Sequence, residues 1–236
     1  MKLLQKKIPA CAVVIVAAGK SNRMQGTDKI TAMLDGRPLI AHTISVFQSC
    51  PFVSQIVVVG REDNLDIMER ICQEHGFDKV TMLVPGGETR VHSVINGLDH
   101  IRKDTPLVAI HDGARPLVSE AVVEEAVKGA CRFHAAAPAI PVKDTIKSAK
   151  NRIVTDTPDR SALFAVQTPQ VFDFDLLRGA LQKAQDNALS ITDDCSAVEA
   201  LGMSVYLSQG SEENIKVTTP ADLVIAEALL KNRRCI

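Results

Sequence analysis

Tryptophan is absent from this 236-residue chain, tyrosine occurs once, and aromatic residues make up 3% of the total. So few π-faces argue against the stacking platforms that grip single-stranded nucleic acids. A surplus of either charge is missing too: 27 Lys and Arg stand against 28 Asp and Glu, interspersed, for a formal net charge of −1. Bulk electrostatics therefore draws the chain neither to nucleic acid nor to a membrane surface. No apolar run is long enough to span a bilayer. The start, Met1 to Lys7 ahead of an apolar run, superficially resembles a signal peptide, but that run serves at once as a first strand leading into a ligand loop. The six cysteines, at 11, 50, 72, 131, 195 and 235, include no C-x-x-C pair. Their scatter fits reduced thiols in a cytoplasmic protein, several packed as small hydrophobes, and argues against a disulfide or zinc framework.

Familiar site motifs are missing as well. The dinucleotide fingerprint G-x-G-x-x-G fails because Gly19 is followed by Lys20, Ser21, Asn22, Arg23 and Met24. The triplet Gly19-Lys20-Ser21 mimics the end of a P-loop, yet Val14 stands where G-x-x-x-x-G-K-[ST] needs glycine. Lys20 and Ser21 are then loop residues. There is no Ser/His/Asp arrangement and no paired-carboxylate constellation. Neither an internal repeat nor a low-complexity linker appears, and the length suits one sizeable α/β domain.

What is present begins at Ala12. Five apolar residues, partly β-branched, run into the small turn Ala17-Ala18-Gly19 and then reach Arg23, with Lys29 beyond. This is the pattern of a buried parallel strand whose carboxyl end opens onto bare peptide N–H groups and cations, a site for a nucleoside triphosphate. Alternating strands and amphipathic helices follow, so an α/β fold is expected, with a mainly parallel sheet covered by helices on both faces. Expected strands cover 12–17, 55–59, 80–84 and 107–110, with short ones at 204–208 and 214–217. Expected helices cover 38–48, 64–75, 89–101, 119–134, 175–184 and 193–201, the last capped by Thr192, and a final helix runs from Pro220 to Lys231. Between Ala135 and Val166 prolines, alternation and crowded charge suggest two strands framing a projecting β-arm at 138–160; an arm folded back on a monomer is the alternative.

Chemistry-bearing residues gather after the strands, where ligands of open α/β sheets bind. Gly86-Gly87 offers backbone to a base or phosphate, although alone it suits an ordinary strand–helix turn. Ser93 can donate to a ligand or bond its own backbone. Asp112 ends a buried strand and can hold Mg²⁺ beside a triphosphate, or else brace a loop or cap a helix. His111 reads as structural.

Together, Ala17-Ala-Gly-x-x-x-Arg-Met24, Lys29, Gly86-Gly-x-x-Arg-x-x-Ser93, His111-Asp-x-Ala-Arg-Pro116, Asp144-Thr145, Asp159-Arg160, Thr168-Pro-Gln170, Ile191-Thr-Asp193 and Ile215-Lys-Val217 resemble the 2-C-methyl-D-erythritol 4-phosphate cytidylyltransferase family almost end to end. The resemblance implies one nucleotidyltransferase-type, Rossmann-like domain over 1–236, which moves CMP from CTP onto methylerythritol phosphate with a hard divalent cation such as Mg²⁺. It implies catalytic roles for Arg23, Lys29, Arg160 and Lys216. It puts CTP against Ala17, Ala18, Gly19, Gly86, Gly87, Ser93 and Asp112, with Asp112 near the metal. It assigns substrate contacts to Arg115, Thr145, Arg160, Thr168 and Lys216. Without it, Arg160 and Lys216 read as surface cations. It further implies a homodimer in which residues 138–160 cross to the partner's site. Two departures from the family pattern stand out: Ser21 replaces a glycine, and Asp28-Lys29-Ile30 replaces Pro-Lys-Gln. The competing possibilities are a ribitol-5-phosphate cytidylyltransferase and a non-catalytic nucleotide-binding protein on the same fold.

Overall fold

A computed structural model describes residues 8–19 and 30–234. Arg23, Lys29 and the departures at Ser21 and Asp28 lie outside the described residues. In chain order come β1 (Cys11–Val16), the short ladder of β2 (Met33–Leu34) with β3 (Arg37–Pro38), α1 (Leu39–Ser49), β4 (Val53–Gly60) and α2 (Leu65–Glu74). There follow β5 (Val80–Pro85), α3 (Arg90–Leu98), β6 (Leu107–Asp112), α4 (Glu120–Phe133) and β7 (Ala135–Pro141). The chain continues through β8 (Ser148–Lys150), β9 (Ile153–Asp156), β10 (Phe164–Val166), β11 (Gln170–Asp173), α5 (Phe174–Asp186), α6 (Asp194–Glu199), β12 (Tyr206–Gln209) and α7 (Pro220–Arg234).

β1 is central and pairs in parallel with β4 on one side and β6 on the other. β5 extends the β4 side, also in parallel. The order therefore reverses between β1 and β6, whose last residues, Val16 and Asp112, stand opposite each other. That reversal leaves a crevice at the carboxyl ends of both strands, since their onward connections diverge to opposite faces.

The strand residues explain why both faces are covered. Cys11, Val13 and Ile15 point into a core with Ile44 and Phe47 of α1, Ile71 of α2 and Val127 of α4. Ala12 and Val14 point the other way, into a core with Val94 and Leu98 of α3, Leu177 and Leu181 of α5 and Val198 of α6. A strand apolar at every position can be buried only between two helical layers. A third, smaller cluster joins Leu34, Leu39, Leu117 and Val217 to Ala226 of α7.

The sequence expectations fail at four places. β11 enters antiparallel between β6 and β7, a strand too short, between Pro169 and the start of α5, to show periodicity. The β2–β3 ladder, two residues per strand, escapes for the same reason. Residues 214–217 are not a strand; they form an extended loop tied by Val217 N–H to Ala114 O at 2.8 Å. The cap of α6 is Asp193 rather than Thr192: its carboxylate accepts from Ser196 N–H, and Ser196 closes a capping box.

β8 and β9 pair only with each other, through a turn at Asn151 and Arg152 with positive φ, and residues 143–157 are exposed. No helix among the described residues is long and apolar enough to cross a membrane.

Candidate active site

A cavity of about 460 Å³ occupies the crevice between β1 and β6. Its walls include Ala17, Ala18 and Gly19 after β1, Gly87 to Arg90 and Ser93 at the start of α3, Asp112 at the end of β6, and Lys216. The β1 turn is held by Ala17 N–H to Val59 O at 2.7 Å, and Gly113 N–H reaches Val16 O at 2.9 Å. Small side chains leave this stretch of backbone facing the cavity.

Gly86 lies just behind the wall and must be glycine. A Cβ there would meet the Ala18 Cβ at 2.3 Å, so the β1 and β5 loops could not close on each other. Ser93 proves to be a turn former. Its hydroxyl donates to Thr89 O at 3.0 Å and accepts from Gly87 N–H at 3.1 Å, which fixes the Gly87 peptide beside the cavity.

Asp112 is the electrostatic centre. Its Oδ2 accepts from Lys216 Nζ at 2.8 Å, and Arg115 Nε lies 3.7 Å away. Burial alone would raise its pKa; Lys216, Arg90 and Arg115 outweigh burial and hold the carboxyl below its ordinary value. Asp112 is thus an ionised oxygen donor at the cavity wall. Arg115 is turned to Asn214 O at 2.6 Å, which ties the loop after β6 to the segment carrying Lys216. Asn214 and Val217, both fully buried, pin that segment on either side of the half-exposed Lys216.

Thr168 sits behind this wall instead of facing the cavity. Buried at 4% exposure, it accepts from Asp112 N–H at 3.1 Å, and its hydroxyl lies 3.0 Å from His111 Nδ1. His111 Nε2 is 3.2 Å from Arg115 O. A carbonyl can only accept, so Nε2 carries the proton and Nδ1 accepts from Thr168. Burial pushes the His111 pKa down to about 4, in keeping with a neutral ring. Thr168, expected at the substrate, here holds Asp112 N–H and His111 through its hydroxyl.

Seven expected ligand residues thus share one cavity: Ala17, Ala18, Gly19, Gly87, Ser93, Asp112 and Lys216. Thr145 and Arg160 do not line it. Both are exposed on the arm side, where Arg160 donates to Lys143 O at 2.6 Å. Two further residues belong to the site beyond those expected from the sequence. Arg90 lines the cavity and donates to the fully buried Asp194 at 2.6 Å. Arg90 stands inside the quoted Gly86–Ser93 motif, which was the available signal; Asp194 has none, because the contact bridges 104 positions.

Comparison with known proteins follows the same outline. Residues 11–232 match the family description 2-C-methyl-D-erythritol 4-phosphate cytidylyltransferase. The chain belongs to that family. A 2-C-methyl-D-erythritol 4-phosphate cytidylyltransferase of Desulforamulus reducens is 47% identical over 230 residues, covering 94% of this chain and 96% of the relative. Among solved structures, the 4-diphosphocytidyl-2C-methyl-D-erythritol synthase of Anaerococcus prevotii superposes with a TM-score of 0.84 at 28% identity, covering 95% of this chain and 100% of the other. The 2-C-methyl-D-erythritol 4-phosphate cytidylyltransferase of Thermus thermophilus gives 0.77 at 32% identity, covering 92% and 98%. Membership of this cytidylyltransferase family makes the chain a nucleotidyltransferase.

Proposed function

We propose that this protein transfers CMP from CTP to 2-C-methyl-D-erythritol 4-phosphate, giving 4-diphosphocytidyl-2-C-methyl-D-erythritol and pyrophosphate for isoprenoid synthesis. The observation that carries it is the cavity at the β1–β6 reversal, walled by bare backbone and facing the Asp112–Lys216 pair. A phosphate monoester, with a second pKa near about 6, is already mostly dianionic at neutral pH, so its oxygen can attack without a general base. That oxygen bonds to the α-phosphorus of CTP as the bond to the bridging oxygen breaks, and pyrophosphate leaves with the electron pair. The barrier lies in bringing two polyanions together and stabilising the departing charge, which is work for fixed cations.

The residues divide that work. Ala17 lines the pocket while the peptide N–H groups of Ala18 and Gly19 receive the triphosphate, and Gly86, Gly87 and Ser93 shape the cytidine side. Arg23 and Lys29 stabilise the five-coordinate phosphorus. Lys216 and Arg160 aim the substrate phosphate, with Thr145 and Arg115 at its polyol end. Asp112 suits a hard cation that keeps several waters and takes other ligands from phosphate oxygens. No cluster of three metal-ligating side chains occurs among the described residues, so Mg²⁺ would arrive with the nucleotide and lie at Asp112, supplying positive charge there.

We further propose a cytoplasmic homodimer in which residues 138–160 reach the partner's site. Exposed Ile146, Ile153 and Val154 on the arm support this, as does the fact that neither Thr145 nor Arg160 lines the cavity of its own chain. The five described cysteines are free thiols, in keeping with a reducing compartment. The deciding assay measures pyrophosphate release with each nucleoside triphosphate against methylerythritol phosphate and ribitol 5-phosphate. Turnover with CTP and methylerythritol phosphate is expected; faster turnover with ribitol phosphate, or CTP binding without turnover, overturns the assignment.

A further inference from the structure

Arg90 is the first residue of α3, on the same turn as Gly87, Thr89 and Ser93; it lines the cavity, and its side chain is 31% exposed. Its Nη2 donates to Asp194 Oδ2 at 2.6 Å. Asp194 is completely buried, and its other carboxylate oxygen has no hydrogen-bond partner. A buried ion pair is a poor source of stability, because desolvation offsets most of the attraction. Asp194 is nevertheless firmly placed: its N–H and that of Cys195 both donate to Gln170 Oε1, at 3.0 and 3.2 Å, and Asp193 caps the same helix. The carboxylate is thus a fixed, fully buried anchor, and the partly exposed Arg90 is the half of the pair that lines the cavity.

Charge decides what such a guanidinium can recognise. Asp194 balances it from behind, so the pair brings almost no net charge to the cavity. What remains is a planar fork of N–H donors in a set orientation, suited to an uncharged acceptor. We propose that Arg90, aimed by Asp194, reads the pyrimidine ring of the bound nucleotide by donating to an uncharged ring acceptor. This rests on the nucleotide assignment of the cavity and adds a residue that selects the base.

The test is calorimetric titration of the full chain with CMP, CDP and CTP, for the unaltered protein and for Arg90→Lys, Asp194→Asn and the double variant. Arg90→Lys keeps a cation beside Asp194 but loses the fork. A contact to the base predicts that it weakens all three nucleotides by the same factor, about tenfold. If Asp194 acts by positioning Arg90, Asp194→Asn gives a similar loss and the double variant is no worse than either single one. A loss that grows from CMP to CTP would make Arg90 a phosphate clamp and overturn the proposal, as would unchanged affinity. Additive losses in the double variant would overturn the role of Asp194. Those results leave the cavity assignment standing, whereas unaltered protein that binds none of the three nucleotides removes both. Thermal melting checks each variant, and if Asp194→Asn does not fold, the Arg90→Lys series decides alone.

Discussion

At the scale of single residues, the back wall of the cavity is a relay of directed hydrogen bonds. Asp112 N–H donates to Thr168, Thr168 to His111, and His111 to Arg115 O. The relay needs a neutral imidazole, because a protonated Nδ1 could no longer accept from Thr168. With its pKa pushed to about 4 in the fold against 6.5 as the ordinary value, His111 contributes stability that is complete above pH 6.5 and is lost as pH falls from there toward 4. The loss amounts to about 3 kcal/mol. Urea unfolding at pH 7.5 and pH 4.5 should show most of it, and His111→Gln, which cannot titrate, should shrink the difference between the two pH values by about 2–3 kcal/mol. An equal pH dependence in both proteins would mean that the ring does not report on this wall. Outside the described residues, Arg23→Ala or Lys29→Ala should lower kcat by roughly three decades with the melting temperature unchanged, as for other cations that clamp a transferring phosphoryl group. Near-normal turnover in both variants would remove those roles.

At the scale of elements, α3 transmits the sheet's position to the ligand. Its first turn carries Arg90 and Ser93, and its far end rests on β1 and β4 through Gly97. A Cβ at Gly97 would lie 2.4 Å from Val14 Cγ1, in a fully buried part of the core. Gly97→Ala gains about 1 kcal/mol of helix propensity. It loses about 1–3 kcal/mol to overpacking, so the crowding wins and α3 must lift from the sheet. Denaturant unfolding should show net destabilisation, and the KM for CTP should rise because the Gly87–Ser93 turn moves with the helix. A stabilised variant would show that the helix has slack. The same elements explain what the sequence reveals. β1 is legible because five apolar positions between two helical layers leave a continuous local pattern, and Asp112 because it ends such a run. β11, Gln170 and the Arg90–Asp194 pair are not, since their meaning lies in bonds to residues 20 or more positions away. The loop at 214–217 imitates a strand because Ile215 and Val217 alternate with polar neighbours, yet they pack beneath α7 rather than along a sheet.

At the scale of the whole molecule, one cavity wall is missing its proposed complement. Lys216 stands on the sheet rim, whereas Arg160 is exposed beside the β8–β9 ladder, whose strands pair only with each other and which bears Ile153 at 72% exposure and Val154 at 55%. If two arms cross, each site combines the rim of one copy with the arm of the other. Ile153→Asp with Val154→Asp should then yield a folded monomer by sedimentation, with little transferase activity. Mixing separates crossing arms from arms that serve their own chain. Lys216→Ala spoils the rim and Arg160→Ala the arm, and each homodimer is inactive. A mixed dimer with crossed arms has one doubly damaged site and one with both residues intact. Equal amounts of the two variants, allowed to exchange subunits, should therefore recover about a quarter of the unaltered activity, because half of the dimers are mixed and each has one working site of two. Arms that fold back onto their own chain give no such recovery, since every site would then keep one lesion.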